Sequence, residues 1–275
     1  PQGLTPGVYQ GSIVVTGFGG SGPAQTVSVT LAVTSPAPPA VTNLLNAASL
    51  IPGPVAPGEI VTLQGSGLGP TPGVSGTITA AGAFATSAAG IQVLFDGVPA
   101  PLLYVSGSQI NAVVPYEVFN RSTTNIQVSA MGVTSATLSL GVNPSAPGIF
   151  TASGSGSGPG AILNQDGSLN SVSNPASLGS IVSIYATGEG QTSPAGQDGR
   201  IIATDVRKPL LPVTVLIGGV PATSVQYAGS APGLVSGTIQ VNVLLDDTIG
   251  KGSAVPVQIQ VGSAVSPGAV TVAVQ

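Results

Sequence analysis

Val93-Leu-Phe-Asp-Gly-Val-Pro-Ala100 and Val215-Leu-Ile-Gly-Gly-Val-Pro-Ala222 are two copies of one phrase. In each, apolar residues at alternating positions supply the buried face of a strand, Asp96-Gly97 or Gly218-Gly219 gives a turn that needs φ > 0, and a proline ends the ladder. The flanking sequence repeats in the same register. Gly179-Ser-Ile-Val-Ser-Ile-Tyr-Ala-Thr-Gly-Glu-Gly190 follows Gly58-Glu-Ile-Val-Thr-Leu-Gln-Gly-Ser-Gly-Leu-Gly69 by 121 residues, and Val215 follows Val93 by 122. Gln240-Val-Asn-Val follows Gln109-Ile-Asn-Ala by 131, which places nine more residues in the second copy, around 229–237. Loops tolerate such insertions. In the first copy, strands are expected at 59–64, 91–95, 102–105, 109–114, 125–130 and 137–142, with the spacing of an antiparallel sandwich. The four residues Val93, Phe95, Val215 and Ile217 are expected in equivalent cores.

Composition agrees. Of the 275 residues, 42% are apolar and only 5% charged, where a soluble domain carries about 25% charged residues. The surface must therefore be Ser, Thr, Gly, Ala, Asn and Gln. The 40 Gly and 25 Pro sit between alternating Val, Ile and Leu runs and mark turns in an all-β chain. Net charge is −4, from 5 basic and 9 acidic residues spread singly, so no basic stripe exists to bind nucleic acid or anionic lipid. The absence of Cys removes disulfides and is compatible with secretion. No apolar run approaches the ~18 residues of a membrane span, and no signal sequence opens the chain, so export would imply a leader already removed.

Ahead of the repeats, two strands are expected at 8–16 and 26–34. The second alternates without a fault, with Val27, Val29, Leu31 and Val33 on one face and Thr26, Ser28, Thr30 and Thr34 on the other; Ile13 and Val15 continue the apolar set on the first strand. An isolated hairpin is marginal in water, so this face needs a partner. These six residues are the candidate assembly strand, with a neighbouring copy the favoured acceptor over the first repeat of the same chain. Ser35-Pro-Ala-Pro-Pro-Ala40 is a short stiff linker. The expected domains are 1–35, a hairpin segment; 36–148, the first repeat; and 149–275, the second, with Gly154-Ser-Gly-Ser-Gly-Pro-Gly160 a flexible connection between modules.

Three resemblances follow from these stretches. Leu4-Thr-Pro-Gly-Val-Tyr-Gln-Gly-Ser-Ile-Val-Val-Thr16 resembles the closing hairpin of the BACON type of bacterial immunoglobulin-like domain. The Gly58 stretch, the Val93 turn and Ser108-Gln-Ile-Asn-Ala-Val-Val-Pro115, in that order, resemble an IPT/TIG immunoglobulin-like domain. Residues 41–275, through Val41-Thr-Asn-Leu-Leu-Asn-Ala-Ala-Ser49, Ala146-Pro-Gly-Ile-Phe150, Ser173-Asn-Pro-Ala176 and Tyr185-Ala-Thr-Gly-Glu-Gly-Gln-Thr-Ser-Pro194, are similar to the Solibacter-type C-terminal domain of acidobacterial surface proteins. The resemblances imply tandem immunoglobulin-like β-sandwiches in a secreted or surface-attached protein, and bring no functional residues with them.

Catalytic chemistry is hard to find. Without His or Cys, the Ser-His-Asp and Cys-His arrangements and the usual zinc and haem sites are impossible. The nine carboxylates are scattered and read as solvated loop acids; Glu59 corresponds to Ser180, and Asp96 to Gly218. Gly17-Phe-Gly-Gly-Ser-Gly22 fits a dinucleotide-binding pattern by letters but has no helix after it. Asn164, Asp166, Ser168 and Asn170 offer alternating oxygens to calcium, yet one carboxylate is thin for that ion, and the bland reading is a hairpin with Asp166-Gly167 at its tip. Asn120-Arg-Ser122 is a formal glycosylation sequon. A covalent Lys cross-link would need Lys208 or Lys251 buried beside an acid. With no Trp, and Phe95, Phe150 and Tyr185 expected inside, platforms for stacking sugars are scarce. The expectation is a non-enzymatic extracellular structural protein without cofactor or metal, self-associating into a surface filament. The alternative is a C-terminal binding or adhesion module of a larger secreted protein, with a protein or glycan partner.

Overall fold

The computed structural model describes residues 3–17, 23–35 and 37–275, which fall into two compact units, Pro1–Ala37 and Pro38–Gln275. The glycine-rich stretch ending at Gly22 lies largely outside the described residues. The first unit is one antiparallel hairpin, β1 (Gly7–Val15) and β2 (Gln25–Val33), paired in unbroken register from Gly7 opposite Val33 to Val15 opposite Gln25.

The second unit holds both repeats. In the first repeat, β3 (Ala40–Asn46), β4 (Ile60–Ser66), β5 (Val74–Ser75), β6 (Ile91–Phe95), β7 (Val98–Pro99), β8 (Leu102–Val105), β9 (Gln109–Val113), β10 (Thr123–Ala130), β11 (Val133–Thr134) and β12 (Leu138–Gly141) form two sheets. One runs β3-β4-β9-β8-β5; the other runs β11-β10-β6-β7, with β12 also on β10. The period-2 pattern decides which side chains meet between them: Leu63, Val93, Phe95, Ile110, Ile126 and Val128 are buried in one cluster.

The second repeat comprises β13 (Gly148–Ile149), β14 (Gly158–Pro159), β15 (Ile162–Leu163), β16 (Ile181–Thr187), β17 (Thr192–Ser193), β18 (Lys208–Pro209), β19 (Val213–Ile217), β20 (Val220–Pro221), β21 (Val225–Ser230), β22 (Thr238–Leu244), β23 (Gly252–Val261), β24 (Ala264–Val265) and β25 (Val270–Val274). Its sheets, β13-β16-β22-β21 and β14-β25-β23-β19-β20, place β16, β22, β21, β19, β23 and β25 where the first repeat has β4, β9, β8, β6, β10 and β12. Even the irregularities recur. A bulge lies between Leu102 and Tyr104 on β8, and another between Val225 and Tyr227 on β21. Val215 and Ile217 are buried in the second core as Val93 and Phe95 are in the first. The two turns have the backbone their sequences require, with φ +48° and +86° at Asp96 and Gly97 and +63° and +81° at Gly218 and Gly219.

Two expectations fail. The Gly154 to Gly160 stretch is ordered structure and not a flexible connection. Gly158 and Pro159 pair in parallel with β25, and a Cβ at Gly156 would run into the carbonyl of Ser49, so Gly156 serves close backbone approach. This excursion breaks the second repeat's first strand into the short pieces β13 and β15, where the first repeat has the continuous β3. Phe150 and Tyr185, expected inside, are only half-buried; Phe95 is fully buried.

Candidate functional site

In an antiparallel pair, residues directly opposite share a face. The register sets Ile13 opposite Val27, Gly11 opposite Val29, Tyr9 opposite Leu31, Gly7 opposite Val33 and Val15 opposite Gln25. All six candidate residues, Ile13, Val15, Val27, Val29, Leu31 and Val33, therefore project from one side of the hairpin. Five of them are exposed, from 41% at Leu31 to 57% at Ile13, and Val33 is half-buried. The opposite side carries Gln10, Ser12, Thr26, Ser28 and Thr30 among Val8, Val14 and Ala32. No residue from 3 to 58 bears a charged side chain.

A second constellation, which sequence reasoning missed, lies where the two repeats meet. Three loops of the second repeat, at 188–207, 231–237 and the entry to β13, close over the end of the first repeat that carries Gly58, Glu59 and Tyr116. The backbone N–H of Ile60 donates to Thr187 Oγ1 at 2.8 Å, and that hydroxyl donates to the Gly237 carbonyl at 2.6 Å. The Tyr116 N–H donates to Asp198 Oδ1 at 2.9 Å, and the Tyr116 hydroxyl lies 3.0 Å from Ser236 Oγ. Asn46 Nδ2 reaches both Glu59 Oε1 at 2.9 Å and the Ala146 carbonyl at 3.0 Å. Phe84 N–H donates to the Gly199 carbonyl and Ile201 N–H to that of Gly82, bridging the repeats backbone to backbone.

The acids of this junction are not the solvated loop residues expected of them. Glu59 and Glu189 are each 2% exposed. Burial pushes Glu59 up to about 8, partly opposed by the Ala56 N–H and Asn46 and reinforced by the neighbouring Glu189; burial takes Glu189 to about 8 against a hydrogen bond from its own backbone N–H. Asp198 is raised to about 6 by burial, against the hydrogen bond from Tyr116 N–H. Glu189 Oε2 has no hydrogen-bond partner. Burial therefore favours the neutral form of both glutamates. The cleft of about 180 Å³ at the junction, lined by Leu44, Pro52, Pro54, Val265 and Pro267, reaches Glu59 but not Glu189, so no open site presents the two carboxyls to a substrate.

The other candidates are occupied internally. Asn170 is buried, with Oδ1 accepting from Ala273 N–H and Nδ2 donating to the Ala273 carbonyl and to Asn164 Oδ1; Asp166 Oδ1 accepts from Ser168 N–H. Asn170 thus fastens the hairpin to β25, and the Asn164 and Asp166 oxygens are used inside the hairpin. Among the described residues no group of three His, Cys, Asp or Glu is placed to hold a metal. Lys208 and Lys251 are both exposed.

With this geometry in hand, the comparison with known families is specific to one repeat. Residues 47–142 match the IPT/TIG domain. The matched span starts just after β3 and runs through β12, and so covers, β3 excepted, the sandwich whose strand order the second repeat shares. No curated protein matches the chain. No helix among the described residues is long and apolar enough to cross a membrane. One signal could have exposed the junction: in the register of the repeats Glu189 stands where the first has the core residue Leu68, and Tyr116 stands where the second has Asp247.

Proposed function

We propose that the chain is a non-enzymatic, secreted or surface-attached structural protein. Its two immunoglobulin-like repeats form the body, and its N-terminal hairpin joins one copy to the next by strand complementation into a filament. The observation that carries this reading is the gathering of Ile13, Val15, Val27, Val29 and Leu31 on one exposed, uncharged face of a two-stranded sheet, a structure that is marginal by itself. Acceptor edges exist on the first repeat. β3 and β12 end their sheets with no further strand paired outside them among the described residues, and the groove between them is lined by Leu44, Pro52, Pro54, Leu138 and Leu140. An added strand gains ladder hydrogen bonds as well as burial. IPT/TIG domains occur in extracellular and surface proteins, which supports the location, as do the resemblances to BACON and Solibacter-type domains.

The binding-module reading is favoured by a different observation. The IPT/TIG match and the resemblance of β1 and β2 to the end of another immunoglobulin-like domain suit a piece of a larger secreted adhesin, in which that domain's own strands cover the hairpin. Deleting residues 1–36 and replacing Val27, Val29 and Leu31 with Thr in the intact chain separate the two readings. Sedimentation and electron microscopy should show assembly of the intact protein that both variants abolish. Unaltered assembly in both variants removes the hairpin as the joint, and a monodisperse intact protein favours the binding module.

A further inference from the structure

The junction between the repeats has a property that its neutral surface chemistry does not require. It buries two carboxylic acids in positions where the repeat pattern offers a Ser and a Leu. Glu59, at the start of β4, corresponds to Ser180, whose hydroxyl donates to the Ser177 carbonyl at the partly open end of the second repeat. Glu189, just beyond β16, corresponds to Leu68 of the first core.

Burial without a facing cation, and not their hydrogen bonds, is what favours the neutral form of these acids; both donors to Glu59 favour the carboxylate. From the first repeat, Glu59 Oε1 accepts from Asn46 Nδ2 and Oε2 from Ala56 N–H at 2.8 Å, while Tyr116 and Glu117 are the titratable groups of the neighbouring turn. From the second repeat, Glu189 neighbours Glu59, and Glu189, Asp198 and Arg207 neighbour Tyr116. The one buried cation, Arg207, donates to the Ala195 carbonyl and to Asp205 Oδ2 at 3.0 Å, and Arg200 donates to the Ala81 carbonyl; the Nε of each has no partner. Neither arginine forms an ion pair with Glu59 or Glu189 among the described residues, and Glu189 Oε2 is left bare. An ionised carboxylate buried there has no facing cation, and two of them repel each other.

We infer that the junction is a proton-held clamp: with Glu59 and Glu189 protonated the second repeat's loops stay closed on the first, and withdrawing those protons in alkaline solution releases the two repeats from each other. The clamp is independent of how copies assemble, because every group in it lies within residues 46–237 of one chain. The direction follows from linkage. The folded state binds these protons more tightly than the unfolded chain, in which a glutamate loses its proton near pH 4.5. The stabilisation is complete below that value and is lost as pH rises through about 8.

The test uses the full chain and the isosteric variant Glu59→Gln/Glu189→Gln, with thermal midpoints and small-angle scattering read between roughly pH 6 and pH 9.5. The wild type should lose about 5 °C or more over that range, with its maximum dimension increasing and the 188–207 and 231–237 loops becoming protease-sensitive. The double variant should hold its pH 6 midpoint and dimension throughout. A wild type that keeps both, or a double variant that falls as far as the wild type, overturns the clamp. If the double variant does not fold, carbon-13 titration of the wild-type glutamate carboxyls decides: two midpoints above pH 7 support the clamp, and all midpoints below pH 5 refute it.

Discussion

The same turn occurs at the start of β4 and of β16, and it meets opposite fates. In the first repeat Gly58, Glu59 and Tyr116 are buried under the second repeat; in the second, Gly179 and Asp247 are exposed and Ser180 is half-buried. The backbone is alike in both: Glu59 N–H donates to Ala56 and Ser180 N–H to Ser177, each at 3.1 Å. Identity at these positions is therefore set by what packs on the turn and not by the turn itself. The difference also limits how the repeats stack. A third repeat docking on the second as the second docks on the first would find Ser180 and Asp247 in place of Glu59 and Tyr116. The loop that grips is specific as well, since the longer β21–β22 connection supplies Ser236 and Gly237, where the first repeat has only 106–108 between β8 and β9. The end-to-end contact is built for one pair of repeats.

The sharpest way to break the comparison is at Gly237. Its φ is +95°, and a Cβ there would drive into the Gly58 carbonyl oxygen. Gly237→Ala should combine backbone strain with a clash between two main chains that cannot yield, at a cost of about 3 kcal/mol or more. For a unit of this size that is a fall of roughly 6–12 °C in thermal midpoint. Gly219→Ala is the control at an exposed turn: φ is +81° but the space around it is open, so only the conformational cost of about 1 kcal/mol is expected. Equal effects of the two substitutions by calorimetry would mean that the junction adds nothing.

Tyr116 gives a smaller contrast. Tyr116→Phe removes the partner of Ser236 Oγ, and Ser236 is 1% exposed, so its hydroxyl is stranded without water at about 1–3 kcal/mol. At the matching position of the second repeat, Asp247→Asn alters an exposed side chain and should stay within about 0.5 kcal/mol. Urea unfolding of both variants checks the pair.

These contrasts also mark what the residues alone could say. Strand alternation, the Asp96-Gly97 and Gly218-Gly219 turns and the six-residue hairpin face are local patterns with a period of 2, and local patterns are legible without a partner. That the two repeats share one strand order followed from the repeated phrase. The junction did not, because the burial of Glu59 depends on Glu189 and Thr187, more than a hundred residues away, and an acid looks solvated until its neighbours are known. The Gly154 to Gly160 stretch misled for a related reason. Glycine signals either freedom or close approach, and only the Ser49 carbonyl against Gly156 distinguishes them.

The smallest effect lies in the phrase shared by the repeats, at the one position where its turns differ in chemistry. Asp96 N–H donates to the Asn125 carbonyl as Gly218 N–H donates to that of Pro256, both at 2.8 Å. Asn125 also has an N–H, which Asp96 Oδ1 accepts at 2.9 Å, whereas Pro256 has none to offer. That explains an aspartate in one turn and a glycine in the other, despite a φ of +48° that favours glycine. Asp96→Gly relieves the backbone but loses this bond and an exposed pair with Arg121, for a net loss of about 0.5–1 kcal/mol. The Asn125 N–H holds the Asp96 carboxyl below the usual carboxylate range, so the bond's contribution is present above the unfolded value of 3.8 and fades as pH falls through the folded one. Gly218→Asp should cost about 1 kcal/mol, since it takes on the strain with no donor to meet. Adding Pro256→Asn to Gly218→Asp should recover part of that cost, with a coupling energy of about 0.5–1 kcal/mol in a double-mutant cycle. A coupling of zero would show that the carboxylate in the first turn is there for Arg121 and not for the Asn125 backbone.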